Sequence, residues 1–245
     1  MRNQVFLCLP DTEVVEQVLF GKGGLAEALH SGTVVVDTST IKYGATLSIS
    51  KKLALLDVKF IDAPVSGMKA RAEEGSLTMM CGGDQRVVED LNPLLSTMAS
   101  NILYMGPVGS GQLTKLINQL LFDINAAALA EILPLSVKLG LDPTKVGNVV
   151  NSGTGRSYAS EFFIPNILNG EFSKGYPMEL AYKDLISGSE ISAQHQIPTP
   201  VLSAATATYL TALLSGYGSK DKGAMICVFE DLLNVKFRSR SREGW

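Results

Sequence analysis

Through the first part of the chain, apolar positions come in short β-rich runs separated by stretches with helical spacing. Strands are predicted over Gln4 to Leu9, Thr33 to Asp37, Val58 to Asp62, Leu77 to Cys81 and Ile102 to Tyr104. Between them the spacing predicts helices over Asp11 to Phe20, Ile41 to Leu56 and Gln85 to Met98. Asp11, Glu13 and Glu16 sit near the start of the first helix, where carboxylates complement the helix dipole. An unbroken apolar run such as Thr33-Val34-Val35-Val36 belongs in a sheet covered on both faces, so this part reads as α/β with a largely parallel sheet. Ligands of such sheets lie beyond the carboxyl ends of the strands, which directs attention to Pro10, Asp37 to Thr40 and Asp62 to Gly67.

From Val108 the texture changes to long 3.6-residue patterns with no convincing strand. Helices are predicted over Ser110 to Leu139, Pro143 to Asn151, Tyr158 to Leu168, Met178 to Gln196, Thr199 to Leu214 and Lys220 to Val235. Gly140, Asp142 and Pro143 supply a C-cap, an N-cap and a first helical residue in succession. Two domains follow, an α/β domain over 1–107 and an all-helical one over 108–245, divided near Gly106-Pro107-Val108-Gly109. The end from Arg238 to Trp245, with Arg238, Arg240 and Arg242, reads as a solvated tail.

Composition narrows the function. A net charge of -3 provides no basic field for nucleic acid or anionic lipid. Two histidines and three scattered cysteines, Cys8, Cys81 and Cys227, make a zinc site an unsuitable reading and predict no metal. Reduced cysteines and the absence of a signal-peptide pattern point to a cytoplasmic protein. Charged and polar residues such as Asp123, Glu131 and Lys138 interrupt the most apolar stretch, Leu120 to Leu141, so no membrane span is expected.

Among glycine-rich stretches, Gly21-Lys22-Gly23-Gly24 follows a predicted helix rather than a strand and reads as a helix-ending turn. Gly106 to Gly111 precedes a long helix and suits either a hinge or a ligand contact. On that helix Lys115, Asn118, Gln119 and Phe122 share one face. Lys115 then either snorkels to solvent or is a desolvated acid or base. Asp62 to Gly67 carries the Ser66 hydroxyl and the Gly67 amide into the crevice, groups that suit a carboxylate but also an ordinary turn. Lys183-Asp184 within a predicted helix reads as a solvated pair.

Taken in order, Leu9-Pro10, Val36 to Thr40, Asp62 to Gly67, Gly82-Gly83-Asp84, Gly109-Ser110-Gly111 with Lys115, and Lys183-Asp184-Leu185 resemble the β-hydroxyacid dehydrogenase family, which includes 3-hydroxyisobutyrate dehydrogenase and tartronate semialdehyde reductase. The resemblance implies a Rossmann domain followed by a helical domain like that of 6-phosphogluconate dehydrogenase, though shorter. It implies hydride transfer between NAD or NADP and a short β-hydroxy acid or semialdehyde, in a homodimer or homotetramer. Lys115 matches the catalytic lysine, while Ser66 and Gly67 match the grip on the substrate carboxylate, joined by Asn118 and Gln119. Leu9, Pro10, Thr40 and Lys183 match cofactor contacts.

Three features depart from the family pattern. Gln119, not asparagine, stands four residues after the lysine, and Met68 replaces a second glycine after Ser66-Gly67, followed by Lys69 and Arg71. The first strand and its Gly-x-Gly-x-x-Gly turn have no counterpart before Val5, so the expectation is an N-terminally truncated Rossmann domain with an unpaired strand edge and a tendency to self-associate. The rival readings are a non-catalytic dimerisation or regulatory paralogue, and a helical partner-binding module over Asp142 to Val235.

Overall fold

A computed structural model describes residues 3–239 and divides the chain into two compact units, Met1–Ile117 and Asn118–Trp245. The first unit is built from β1 (Gln4–Leu7), α1 (Thr12–Phe20), β2 (Val34–Asp37), α2 (Tyr43–Ala54), β3 (Lys59–Asp62), β4 (Val65–Ser66), α3 (Met68–Glu73), β5 (Leu77–Gly82), α4 (Gln85–Leu95) and β6 (Ala99–Gly106). A long helix, α5 (Ser110–Lys138), begins in the first unit and ends in the second. The second continues with α6 (Pro143–Ser152), α7 (Tyr158–Leu168), α8 (Met178–Gln194), α9 (Pro200–Ala212) and α10 (Ile226–Leu233). The architecture is thus a Rossmann-like α/β unit followed by a helical one.

The sheet is parallel from β1 through β2 to β3 and again between β5 and β6, but β3 and β4 run antiparallel to β5. One register continues from Asp62 opposite Gly82 to Ser66 opposite Thr78, with the Met80 amide donating to the Pro64 carbonyl between them at 3.0 Å. β3 and β4 are therefore one strand bent at Pro64, whose missing N–H interrupts the ladder. The two faces of the sheet carry separate cores. Val34, Val36, Ile61, Met79 and Cys81 pack with α4, whereas Val35, Phe60 and Leu7 pack with α1 and α2, as the alternation of a strand requires.

Local chemistry explains the ends of the elements. Asp11 caps α1 through a 2.9 Å bond from the Val14 amide to its carboxylate, and Gly21 closes that helix by donating to the Gln17 carbonyl. Asp142 caps α6 in the same way, with Pro143 at its first position. The second unit packs α5, α7, α8, α9 and α10 around Phe163, Ile164, Met178, Leu185, Tyr209 and Met225. By length and hydropathy α5 equals a membrane span, but Ala126, Ala127, Ala130 and Leu133 place one of its faces in this core.

Several expectations change. The β4 strand and α3 carried no periodic signal, because the chain reverses through positive φ at Gly67 (+145°) and Met68 (+59°). β6 is longer than Ile102 to Tyr104, and the last predicted helix starts as a 3-10 turn at Lys222–Met225. Arg238, read as part of a solvated tail, instead makes a bidentate pair with the fully buried Glu230 at 2.6 and 3.1 Å. Arg240 and Arg242 lie outside the described residues. Asp184 is buried while Lys183 is exposed, so they are not a solvated pair.

A buried ionic cluster was also not foreseen. Asp123 and Lys222 form an ion pair, both nearly inaccessible to solvent, and the Tyr209 hydroxyl donates to Asp123 at 3.2 Å. The Lys222 ammonium lies 4.4 Å from the centre of the Phe122 ring. Burial pushes the Asp123 carboxyl up to about 6 despite Lys222, and lifts the Tyr209 phenol further above its usual range. Removing one partner strands a charge in the core. Lys222→Met should cost about 3–5 kcal/mol in urea denaturation, and the double variant Asp123→Asn/Lys222→Met should recover most of it. A double variant as unstable as the single one would show that the pair itself, not the stranded charge, sets the cost.

Candidate active site

The carboxyl ends of β1, β2 and β3 meet the start of α5 through a continuous set of hydrogen bonds within the first unit. Asp62, at the end of β3, is fully buried; its two carboxylate oxygens accept from the amides of Gly109 at 2.7 Å and Gln112 at 2.9 Å. The Gln112 amide lies in the first turn of α5 and the Gly109 amide directly before it, where N–H groups have no partner within the helix. Asp62 thus caps α5 from another element, 47 residues away in sequence. The approach requires Gly111: a methyl group there would stand 2.3 Å from the Met80 carbonyl oxygen and 2.8 Å from Asp62 Oδ2.

Gln112 extends the clamp. Its side-chain amide donates to the Ser39 carbonyl at 2.7 Å, and its oxygen accepts from the Ile41 amide at 3.2 Å. Ser39 Oγ in turn accepts from the Leu9 amide at 2.8 Å, and Thr38 donates through both its amide and its hydroxyl to the Leu7 carbonyl. The loops holding Leu9-Pro10 and Thr40 are therefore tied to each other and to α5. Leu9 and Thr40 are half-buried and Pro10 is exposed, so this rim is accessible. Leu9 and Pro10 give this rim apolar side chains and Thr40 gives it a hydroxyl.

Lys115 lies in the next turn of α5 and is only 9% exposed. Ser66 and Gly67 are half-buried at the end of β4. Within the second unit, Asn118 and Gln119 are exposed and bonded to each other at 3.4 Å, and Lys183 is exposed on α8. The residues that the sequence reading passed over are Gln112 and Asp62 as clamps. A glutamine three residues before Lys115, on the same helix face, was the only available sign of the first.

Burial raises the Asp62 carboxyl from 3.8 to about 6, against the pull of the Gly109, Gln112 and Gly111 amides. Between those two values the folded chain keeps a proton there that the unfolded chain has lost, so stability from this group grows as pH falls through that window. Asp62→Asn abolishes the titration. The stability advantage of the wild type over this variant should be greater at about pH 5 than at about pH 7.5, by about 1 kcal/mol in urea denaturation. A gap independent of pH would contradict the assignment.

Comparisons with known proteins agree with the geometry. Residues 2–106 match the family model described as the NAD binding domain of 6-phosphogluconate dehydrogenase, and residues 109–229 match that described as NAD-binding of NADP-dependent 3-hydroxyisobutyrate dehydrogenase. The chain is 37% identical over 232 residues to 2-(hydroxymethyl)glutarate dehydrogenase of Eubacterium barkeri, covering 94% of this chain and 77% of that one. It is 31% identical to 2-hydroxy-3-oxopropionate reductase of Escherichia coli, covering 95% and 80%. The crystal structure of 3-hydroxyisobutyrate dehydrogenase from Salmonella typhimurium superposes with a TM-score of 0.84 at 29% identity, covering 92% and 79%. With both family models matched in chain order and NAD or NADP as the cofactor they describe, this chain belongs to the 3-hydroxyisobutyrate dehydrogenase family of NAD(P)-dependent hydroxyacid dehydrogenases.

Proposed function

We propose that this chain interconverts a short β-hydroxy acid and its semialdehyde, with Lys115 as the acid or base. The observation that carries the reading is a buried lysine on a helix whose first turn is clamped to the carboxyl ends of the strands. Bound NAD or NADP supplies the hydride acceptor or donor. The chain's own task is to hold the acid and move one proton. The Ser66 hydroxyl and Gly67 amide hold the carboxylate, with Asn118 and Gln119 assigned to the rest of the substrate. Lys115 Nζ takes the hydroxyl proton in oxidation and returns it in reduction. Leu9, Pro10 and Thr40 position the cofactor, and Lys183 is assigned to it by resemblance. Domain roles follow the same division, with nucleotide contacts from 1–107 and substrate and subunit contacts from 108–245.

The clamp gives Lys115 its value as a catalyst. A proton-transfer group must be held within hydrogen-bond reach of the reacting oxygen, and fixing it beforehand avoids that entropic cost during the reaction. Lys115→Ala should lower kcat about 100-fold or more against a panel of three- to five-carbon β-hydroxy acids, while NADH or NADPH affinity, followed by fluorescence titration, stays within a few-fold. Equal turnover by both proteins would overturn the role.

Self-association belongs to the same proposal. Leu121, Ile132 and Leu135 form an exposed apolar stripe along one side of α5, with exposed Leu139 directly after its end. We assign it to contact with a second copy, giving a homodimer or homotetramer. Sedimentation velocity should show an assembly larger than a monomer, shifted to monomer by Leu121→Glu/Ile132→Glu; an unchanged profile in the variant would exclude this face. The free cysteines, Cys8 exposed and Cys81 and Cys227 buried, suit a reducing compartment such as the cytoplasm.

A further inference from the structure

We infer that Arg71 holds a second carboxylate of the substrate, making this chain selective for dicarboxylic β-hydroxy acids. The inference rests on the reading of Ser66 and Gly67 as the grip on the first carboxylate. The chain reverses directly after that grip, through positive φ at Gly67 and Met68, and α3 brings Arg71 back over it. A methyl group on Gly67 would stand 2.8 Å from Arg71 Cβ and 2.9 Å from its Cδ, with Leu77 Cδ2 at 3.0 Å on the same side. The aliphatic stem of Arg71 therefore lies against the Gly67 Cα, and its guanidinium begins one bond beyond the Cδ.

The nearby acids do not occupy that guanidinium. Glu73 pairs with Lys69 at 3.6 Å, and Glu74 accepts from the Ser76 hydroxyl at 3.1 Å. Among the described residues, no hydrogen bond or ion pair to the Arg71 guanidinium is present. Its stem lies against Gly67 and the residue is exposed, which leaves a planar, bidentate donor open to a carboxylate beside the first carboxylate site. Such an arrangement matches a substrate whose carboxylates are separated by a few carbons. A monocarboxylic acid would leave the guanidinium in water at no loss.

A matched pair of acids tests this. In 2-(hydroxymethyl)glutarate the methyl of 3-hydroxyisobutyrate is replaced by two methylenes and a carboxylate, so the reacting end is identical. The wild type should show a kcat/KM higher for the dicarboxylate by about 10- to 100-fold. Arg71→Met should remove that preference, mainly through KM, and leave 3-hydroxyisobutyrate within about two-fold; Arg71→Lys should restore part of it. In parallel, glutarate but not butyrate should raise the melting temperature of the wild type, and Arg71→Met should abolish the shift. Loss of activity toward both acids alike, or no change toward either, overturns the Arg71 site while leaving the dehydrogenase reading intact. An Arg71-dependent shift with glutarate, without turnover of any hydroxy acid, retains the Arg71 site and overturns the reaction.

Discussion

The buried carboxylate of Asp62 is the interaction on which the α/β unit depends. It ends β3, and it supplies acceptors at the start of α5, at 2.7 Å from the Gly109 amide just before the helix and 2.9 Å from the Gln112 amide in its first turn. A side chain at 111 would push the helix off the sheet, because the Met80 carbonyl and Asp62 itself fill that space. Desolvation of the carboxylate outweighs the favourable amides, as the raised carboxyl shows. The arrangement therefore costs stability when ionised, and what it secures is the position of the helix that carries Lys115.

The clamp spreads from there by backbone contacts rather than by packing alone. Gln112 reaches the Ser39 and Ile41 backbone, and Ser39 reaches Leu9, so displacement of α5 would be felt at both loops of the proposed cofactor rim. The second unit organises its buried charge differently. Asp123 Oδ1 accepts from both Lys222 and the Tyr209 hydroxyl, and Asp221 holds the amides of Lys174, Gly175 and Gly223. In the first unit a charged group aims a helix; in the second it fixes which helices pack together.

Hydropathy period sufficed for the helices of the second unit and the parallel strands, because each buries a face long enough to repeat. It failed at β4 and α3, two and six residues long, where no period can develop. The residue types of the proposed site came from the ordered motifs, and Ser66 and Gly67 are half-buried at the end of β4 while Lys115 is buried on α5. Its supports were not legible in the sequence. Gln112 bonds to backbone atoms 71 and 73 residues away, and a backbone partner leaves no mark on the sequence. Asp184 was misread for a related reason: adjacent residues on a helix differ by about 100° in direction, so Lys183 is exposed while Asp184 is buried.

Met68 shows how a local rule can fail where a site is built. Its φ of +59° belongs to a region that glycine occupies freely and a methionine enters at a cost of about 1–2 kcal/mol. A backbone requirement alone would favour glycine, so the reversal does not explain the residue type. The side chain must be sought instead in what it faces: it follows Ser66-Gly67, is 42% exposed, and stands three residues before Arg71. A flexible thioether and, three residues on, a guanidinium thus follow the proposed carboxylate grip. The strained position and Arg71, whose guanidinium has no partner among the described residues, thus share one turn of chain. That concentration of local cost beside Ser66 is expected of a segment shaped by a ligand rather than by folding alone.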